Sequence, residues 1–160
     1  ELDQVLPGND PSSETLPQLK YAQQVFAETI RLYPSIWIME RRVVEDDRIA
    51  GISIPAGSTV LISPYTLHRH PGFWDHPQDF RPDRFGNDLD TPLNRPAYIP
   101  FGAGPHVCIG QAMAQLVARI VLAMTWRRFR LTLVEGQKLT LKPGITLRHG
   151  TPVWMRIERR

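Results

Sequence analysis

The ten residues FGAGPHVCIG, at positions 101–110, contain the only cysteine of the 160-residue chain. Their three glycines permit backbone angles and close approaches that a side chain forbids, so a tight loop can hold Cys108 at its tip. Apolar residues then recur at spacings of three and four, which predicts a helix that begins near Cys108 and has one buried face. That predicted face consists of Ile109, Met113, Leu116, Val117, Ile120, Val121 and Met124.

The position of Cys108 at a helix start favours a metal-binding thiolate. Free amide N–H groups at a helix N-terminus carry partial positive charge and hydrogen-bond an anion, so they favour ionised sulfur. A lone cysteine is more often buried apolar filler, and the sulfur alone leaves that interpretation open. A phosphate-binding loop is disfavoured, because the glycines do not match G-x-G-x-x-G and no Lys-Ser or Lys-Thr pair follows them.

Five residues of this loop resemble the cysteine-loop signature of the cytochrome P450 heme-thiolate family: Phe101, Gly104, His106, Cys108 and Gly110. That signature has Phe, two spacers, Gly, a spacer, a basic residue, a spacer, Cys, a spacer and Gly. The resemblance implies that Cys108 is the metal ligand and catalytic residue, bound axially to the iron of heme b (iron protoporphyrin IX). An axial thiolate donates electron density to the iron and favours O–O cleavage.

The same resemblance implies cofactor-binding roles for the other loop residues. Phe101 is expected to pack near the thiolate and, with the loop amides, to tune the potential of the iron. Gly102, Gly104 and Gly110 are expected to let the backbone pass beneath the porphyrin. His106 stands where the family more often has Arg, and it is expected to donate a hydrogen bond to a heme propionate.

A second similarity lies in a predicted helix over residues 15–33. Glu28 and Arg31 are three residues apart, so they are neighbours on one helix face. An exposed pair at this spacing is common and weak, so a surface ion pair stays open from the residues alone. The pair resembles the family's Glu-x-x-Arg helix, and Arg84 in PDRF (residues 82–85) resembles the second arginine that meets its carboxylate. The resemblance implies a structural ion-pair network of these three side chains.

Residues after this helix are expected, by the same resemblance, to approach the heme and the substrate. Trp37 and Ile38 belong to an apolar run that would pass over the heme and line the substrate pocket. Ile145 lies in a later turn that would face the same pocket. Arg41 would reach a heme propionate, since arginine suits a carboxylate better than lysine does. An ordinary surface arginine stays open as the alternative.

The predicted fold class is α+β, corresponding to the C-terminal part of the cytochrome P450 fold. The expected order is the Glu-x-x-Arg helix capped by Thr15, three short antiparallel strands within residues 43–62, a coil meander, the cysteine loop, a long apolar helix and C-terminal strands. Residues 1–14 are expected to be a loop or terminus, and residues 15–160 the heme-binding portion. The family's distal oxygen-activating helix is missing from the sequence, so the chain is expected to be part of a longer enzyme.

Composition and residue spacing disfavour three other interpretations, namely nucleic-acid binding, a membrane span and a zinc site. The net charge is +3 and the basic residues lack interleaved aromatics, so nucleic-acid binding is disfavoured. No stretch approaches the roughly eighteen apolar residues of a membrane span, so this portion is expected to be cytoplasmic, with an anchor outside it left open. His68, His70, His76 and Asp75 form a candidate zinc set, but their spacing fits no common ligand pattern and no thiol accompanies them.

The function implied by the resemblance is that of a heme-thiolate monooxygenase that inserts one oxygen atom from O2 into a small apolar organic substrate. Electrons would come from a redox partner, which is a ferredoxin, a flavodoxin or a diflavin reductase. Two alternatives stay open. One is a non-catalytic scaffold or assembly module without heme, and the other is a heme-thiolate hydroxylase or isomerase that uses peroxide.

Overall fold

The computed structural model describes residues 1–8, 10–86 and 96–160, and the chain folds as an α+β protein, as the sequence predicts. The α-helices of these residues are Leu2–Val5 (α1), Lys20–Leu32 (α2), Pro64–Leu67 (α3) and Gln111–Arg128 (α4). Short 3₁₀ turns lie at Leu16–Gln18, Pro82–Phe85 and Gly104–His106. The last of these turns belongs to the cysteine loop, which leads directly into α4.

The strands pair as short antiparallel ladders. In the first half of the chain, β1 (Met39–Arg42) pairs with β4 (Thr59–Ile62), and β2 (Asp47–Ile49) pairs with β3 (Ile52–Ile54). In the second half, β5 (Phe129–Leu133) pairs with β8 (Met155–Arg159), and β6 (Leu141–Lys142) pairs with β7 (Arg148–His149). The antiparallel arrangement is as predicted.

The structure has three strands between residues 43 and 62, as predicted, but their bounds and pairing differ from the predicted meander. A tight hairpin separates β2 from β3, with positive φ angles of 50° at Ala50 and 84° at Gly51. Two consecutive positive φ angles are typical of the two-residue hairpin turn that matches strand twist. The partner of β4 is β1, which begins at Met39 inside the apolar run and ends before Val43. Two nested hairpins therefore replace the predicted meander of three strands.

Two clusters of buried apolar side chains hold these elements together. The first joins α2 to the segment that precedes the cysteine loop, and it contains Ala27, Trp74, Phe85, Ala97 and Tyr98. The second joins the N-terminal segment to α4, and it contains Leu6, Leu16, Leu19 and Ala123. Because α2 contributes to the first cluster and packs along the second through Ala22, it connects the two.

The N-terminal segment departs from the predicted loop. Residues Leu2–Val5 form α1, and Leu6 is buried against α4. The first-turn amides of Tyr21 and Ala22 donate to the Glu1 carboxylate at 2.7 and 3.1 Å, which supplies an N-terminal cap for α2. The prediction of a loop over residues 1–14 is thus wrong at α1, because the polar residues there flank Leu6, which packs against α4.

The predicted cap by Thr15 is also wrong. Its hydroxyl accepts a hydrogen bond from the Ser12 amide at 2.8 Å, and it makes no capping bond to the 3₁₀ turn that follows. Pro17 lies in that turn, and α2 begins only at Lys20. The proline supports the turn but does not extend it into one continuous helix from Thr15.

The predicted buried face of α4 is wrong in the part of the chain that the structure describes. Only Ala123 of this helix is fully buried, and Ile120 packs beside it. Six of the seven side chains predicted to be internal are exposed, namely Ile109, Met113, Leu116, Val117, Val121 and Met124. The periodicity is real, but the N-terminal segment packs on α4 at Ala123 and Ile120 and leaves the rest of the predicted face uncovered.

Candidate functional site

Cys108 lies at the end of a closed loop, three residues before the start of α4. Its amide donates to the carbonyl of Phe101 at 2.8 Å, and the amide of Val107 donates to the carbonyl of Gly104 at 3.1 Å. The Cys108 carbonyl accepts from the amide of Gln111 at 3.2 Å, which joins the loop to the helix. The backbone is therefore fixed on both sides of an exposed thiol.

Two glycines allow the loop to close so tightly. Gly102 and Gly104 have φ angles of 77° and 66°, in the left-handed region that residues with side chains rarely adopt. A Cβ atom on Gly102 would lie 3.3 Å from the carbonyl oxygen of His106. A Cβ on Gly110 would lie 3.7 Å from the sulfur of Cys108, an ordinary contact distance. The two arms of the loop thus approach each other at Gly102, and the His106 side chain is left exposed.

The surroundings of the sulfur suit a large, flat, apolar ligand. Val107 and Ile109 flank Cys108 and are exposed, and Met113 is exposed one turn along α4. Apolar surface left in water costs roughly 25 cal/mol per Å² relative to a covered surface. A thiolate is a suitable axial ligand for heme iron, and a porphyrin face is apolar. Donor and surroundings together fit a heme group.

Strand β1 approaches the same loop. The sulfur of Met39 lies 3.9 Å from the Cβ position of Gly102. Alternate residues of a strand share a face, so Arg41 lies on the same face of β1 as Met39. Arg41 is exposed, and its guanidinium donates to the neighbouring Glu40 carbonyl at 2.8 Å. The cysteine loop and a cationic side chain thus share one side of β1.

The residues predicted to line the substrate pocket lie close together. The indole N–H of Trp37 donates to the carbonyl of Gly144 at 2.8 Å, and the amide of Leu147 donates to the carbonyl of Ser35 at 2.8 Å. Ile145, between these contacts, is 96% exposed, and Ile38 is half-buried. The run before β1 and the turn at residues 144–147 form one surface, whose role in substrate binding stays a prediction.

A buried carboxylate organises the segments that lead to this surface. Oε1 of Glu28 accepts from Arg31 Nη2 at 2.8 Å, from the Arg81 amide at 2.8 Å and from Arg84 Nε at 3.2 Å. Oε2 accepts from Arg31 Nε at 2.6 Å. A carboxylate offers about four lone-pair sites, so these bonds occupy its capacity. The structure brings Glu28, Arg31 and Arg84 together, although Arg84 lies on the distant 3₁₀ turn at Pro82–Phe85.

The Arg31 guanidinium uses every donor it has. Besides its two bonds to Glu28, Nη1 donates to the carbonyls of His68 at 2.6 Å and Pro77 at 2.8 Å, and Nη2 donates to that of Asp79 at 3.1 Å. The guanidinium also lies 5.0 Å from the centre of the Trp74 ring, within the range of a cation–π contact. A buried cation with five hydrogen bonds ties α2 to three points of the following coil.

His68 is a buried residue of this network, and sequence reasoning missed its structural role. Its Nδ1 lies 3.1 Å from the Arg31 carbonyl, and its Nε2 lies 2.9 Å from the amide nitrogen of Ile99. Both ring nitrogens are therefore engaged within the fold. Burial lowers the pKa of His68 to about 4, and the nearby cations Arg31 and Arg69 act in the same direction. Its partners are backbone atoms, so no pattern of residue types could have identified them.

The depressed pKa of His68 predicts a loss of stability in mild acid. His68 takes up a proton near pH 6.5 in the unfolded chain but only near pH 4 in the folded chain. The stability that neutral His68 contributes is therefore complete above pH 6.5. It is lost as the pH falls from 6.5 towards 4, by up to about 3 kcal/mol. Urea unfolding at several pH values should show this slope in the parent and a shallower one in His68→Gln. Identical slopes would contradict the assignment.

Comparison with known proteins agrees with this architecture. The family model described as Cytochrome P450 matches residues 1–152. The chain belongs to the cytochrome P450 family. Two similar proteins come from Streptomyces melanosporofaciens. Cyclooctatin synthase is 37% identical over 150 residues, which cover 94% of this chain and 33% of that protein. Cyclooctat-9-en-7-ol 5-monooxygenase is 37% identical over 139 residues, which cover 87% and 30%.

A human member of the cytochrome P450 family is similarly related. Cytochrome P450 4V2 from Homo sapiens is 36% identical over 163 residues, which cover 100% of this chain and 31% of the human protein. The chain thus spans about a third of the length of these three relatives. None of the helices in residues 1–8, 10–86 and 96–160 is both long and apolar enough to cross a membrane.

Proposed function

We propose that this chain is the heme-binding portion of a monooxygenase that inserts one oxygen atom from O2 into a small apolar organic substrate. The observation that carries the proposal is the exposed sulfur of Cys108, fixed at the end of a closed loop beside exposed apolar side chains. A relative that is 37% identical is named as a monooxygenase, which supports the reaction class. The division into residues 1–14 and a heme-binding portion at 15–160 belongs to the same proposal.

The loop residues would hold the cofactor through Cys108. A heme held by Cys108 would supply oxygen activation, which a thiolate ligand favours. The loop backbone holds the sulfur at a fixed position, because its amide is bonded to the Phe101 carbonyl and Gly102 keeps the two arms in contact. The half-buried Phe101 side chain and the loop amides would limit water near the sulfur and so affect the iron's potential. Gly104 and Gly110 leave the surface beside the sulfur free of bulky side chains.

Polar and apolar residues would hold the rest of the cofactor and the substrate. His106 in the loop and Arg41 on β1 are exposed donors that would bind the heme propionates. Trp37, Ile38 and Ile145 would present an apolar surface that orients an apolar substrate and excludes water. Glu28 and its arginines would act at a distance by fixing the coil before the loop.

Arg41 gives a test of propionate binding with a control on the same strand. Arg42 follows it directly, so its side chain leaves the opposite face of β1. A hydrogen bond to a charged group contributes about 1.5–3 kcal/mol, so Arg41→Ala is expected to speed heme loss about 10-fold or more. Arg42→Ala should change the rate of heme loss by less than about 2-fold. Heme transfer to apomyoglobin measures both rates, and equal effects would exclude the role of Arg41.

The decisive experiment uses the complete polypeptide that carries this chain. We expect the reduced, CO-treated protein to show the Soret band after which the family is named, and the product to contain one labelled atom from isotopically labelled O2. Absence of any heme band would favour the non-catalytic scaffold. Turnover with hydrogen peroxide but with no reductase would favour the peroxide-using alternative.

Redox partner and compartment are further parts of the proposal. The expected electron donor is a ferredoxin, a flavodoxin or a diflavin reductase, because oxygen activation at heme requires electrons from outside the enzyme. The expected compartment is the cytoplasm, where a lone exposed thiol stays reduced. Reconstitution with each class of donor in turn identifies the partner by the rate of heme reduction.

A further inference from the structure

We propose that His68 is a positioning residue for the cysteine loop. Its ring receives the amide hydrogen of Ile99, two residues before Phe101, and donates its own hydrogen to the Arg31 carbonyl. One imidazole thereby ties the start of the loop to the helix that carries the ion-pair network. The consequence for iron ligation rests on the function proposed above, whereas the tie itself does not.

Only one protonation state of the ring satisfies both contacts. The Ile99 amide is a donor, so Nε2 must present its lone pair, and the Arg31 carbonyl is an acceptor, so Nδ1 must carry the hydrogen. The nitrogen–nitrogen distance at Ile99 is 2.9 Å, and the Nδ1-to-oxygen distance at Arg31 is 3.1 Å. A protonated ring would point an N–H at the Ile99 N–H and break the first contact.

The groups around the ring favour that neutral state. His68 is fully buried, and the rings of Tyr98 and Trp74 lie 5.4 and 6.4 Å from its centre. The cations of Arg31 and Arg69 are nearby, and the carboxylate of Glu28 is engaged by its own arginines. Burial and these cations oppose a further positive charge on the ring, so the tie persists through the neutral pH range.

The tie reaches Cys108 through consecutive backbone contacts. The Ile99 amide is held by His68, and the Ile99 carbonyl accepts from the Gly102 amide at 3.1 Å. The Phe101 carbonyl, between these two residues, accepts from the Cys108 amide at 2.8 Å. A shift of Ile99 would therefore move the acceptor that holds Cys108. On the other side, the His68 carbonyl accepts from Arg31 Nη1 at 2.6 Å, so His68 and Arg31 are joined in both directions.

A purely space-filling role does not account for this arrangement. Burying an imidazole without hydrogen-bond partners is costly, and an apolar ring would fill the same volume without that cost. The two contacts offset the cost only when both are made, which requires this backbone geometry at Ile99 and Arg31. His68 therefore contributes two hydrogen bonds of fixed direction at the point where the position of the loop depends on them.

Two amide variants separate the two ends of the tie. The amide of His68→Asn reaches the position of Nδ1 and keeps the Arg31 end, whereas that of His68→Gln reaches the position of Nε2 and keeps the Ile99 end. We expect the Ile99 amide to exchange its hydrogen about 10-fold faster in His68→Asn than in His68→Gln, because one hydrogen bond is lost. In the heme-loaded complete polypeptide, His68→Asn should also show the larger loss of the thiolate-type CO spectrum.

The outcomes are distinguishable. Equal exchange at Ile99 in the two variants, or faster exchange in His68→Gln, overturns the tie. Faster exchange in His68→Asn with an unchanged CO spectrum overturns the positioning role and leaves the proposed function intact. A parent without a thiolate-type spectrum overturns the proposed function, and the exchange rates still decide the tie. Should neither variant fold, nitrogen chemical shifts of the parent decide, since a hydrogen on Nε2 overturns the proposal and one on Nδ1 supports it.

Discussion

Replacing Glu28 with alanine is expected to lower the free energy of unfolding by about 3–5 kcal/mol, the cost typical of removing one member of a buried ion pair. The Arg31 side chain is fully buried and that of Arg84 is 7% exposed. Both cations would therefore lose the Glu28 carboxylate at positions that water hardly reaches. The Arg81 amide would lose its acceptor as well. Since domains are stable by only about 5–15 kcal/mol, this loss removes between about a fifth and all of the stability, and the urea midpoint should fall accordingly.

Two further variants show whether the charge or the shape of Glu28 matters. Glu28→Gln keeps one oxygen acceptor but places an NH2 group among arginine donors, so its loss should approach that of alanine. Glu45→Ala removes an exposed glutamate from the loop after β1 and should change stability by less than about 0.5 kcal/mol. Urea unfolding midpoints and heme content measure all three. A Glu28→Ala protein with the parental midpoint would refute the structural role of the network.

Local spacing accounts for what the sequence predicted well. The α+β class and the helix that carries Glu28 and Arg31 follow from apolar periodicity and from turn residues. The i,i+3 neighbours on α2 could be read directly, because three residues bring side chains to one face of any helix. Arg84 is 53 residues beyond Arg31, so its contact with the same carboxylate could be predicted only from the resemblance to a known family.

What the sequence did not predict depends on distant partners. The face of α4 that includes Met113 and Val117 has the period of a buried surface, but a period cannot say whether the elements that cover it lie within the same stretch of chain. Leu6 lies in a polar, turn-rich segment where Leu2, Val5 and Leu6 give only one turn of helical spacing, and its burial comes from α4. His68 binds two backbone atoms, which every residue type provides, so its role left no signature in the residues.

Replacing Cys108 with serine is expected to abolish the thiolate-type CO spectrum while leaving the fold intact. A serine hydroxyl stays neutral and is a poor ligand for heme iron compared with a thiolate. Loss of an outer-shell partner of a metal ligand alone costs about 10- to 100-fold in activity, so loss of the ligand itself should lower monooxygenase turnover by more than about 100-fold. The thiol is exposed and the loop is closed by backbone bonds, so the unfolding midpoint should barely move.

A serine placed elsewhere in the loop separates ligand loss from loop damage. Ala103 is exposed, so Ala103→Ser introduces the same hydroxyl and leaves the sulfur in place. We expect this variant to retain the parental CO spectrum, heme content and unfolding midpoint. The two variants share the loop backbone, the start of α4 and the arginine network. Their difference therefore reports the effect of the Cys108 sulfur alone. A Cys108→Ser protein that kept the thiolate-type band would show that another group binds the iron, and the proposed function would lose its main support.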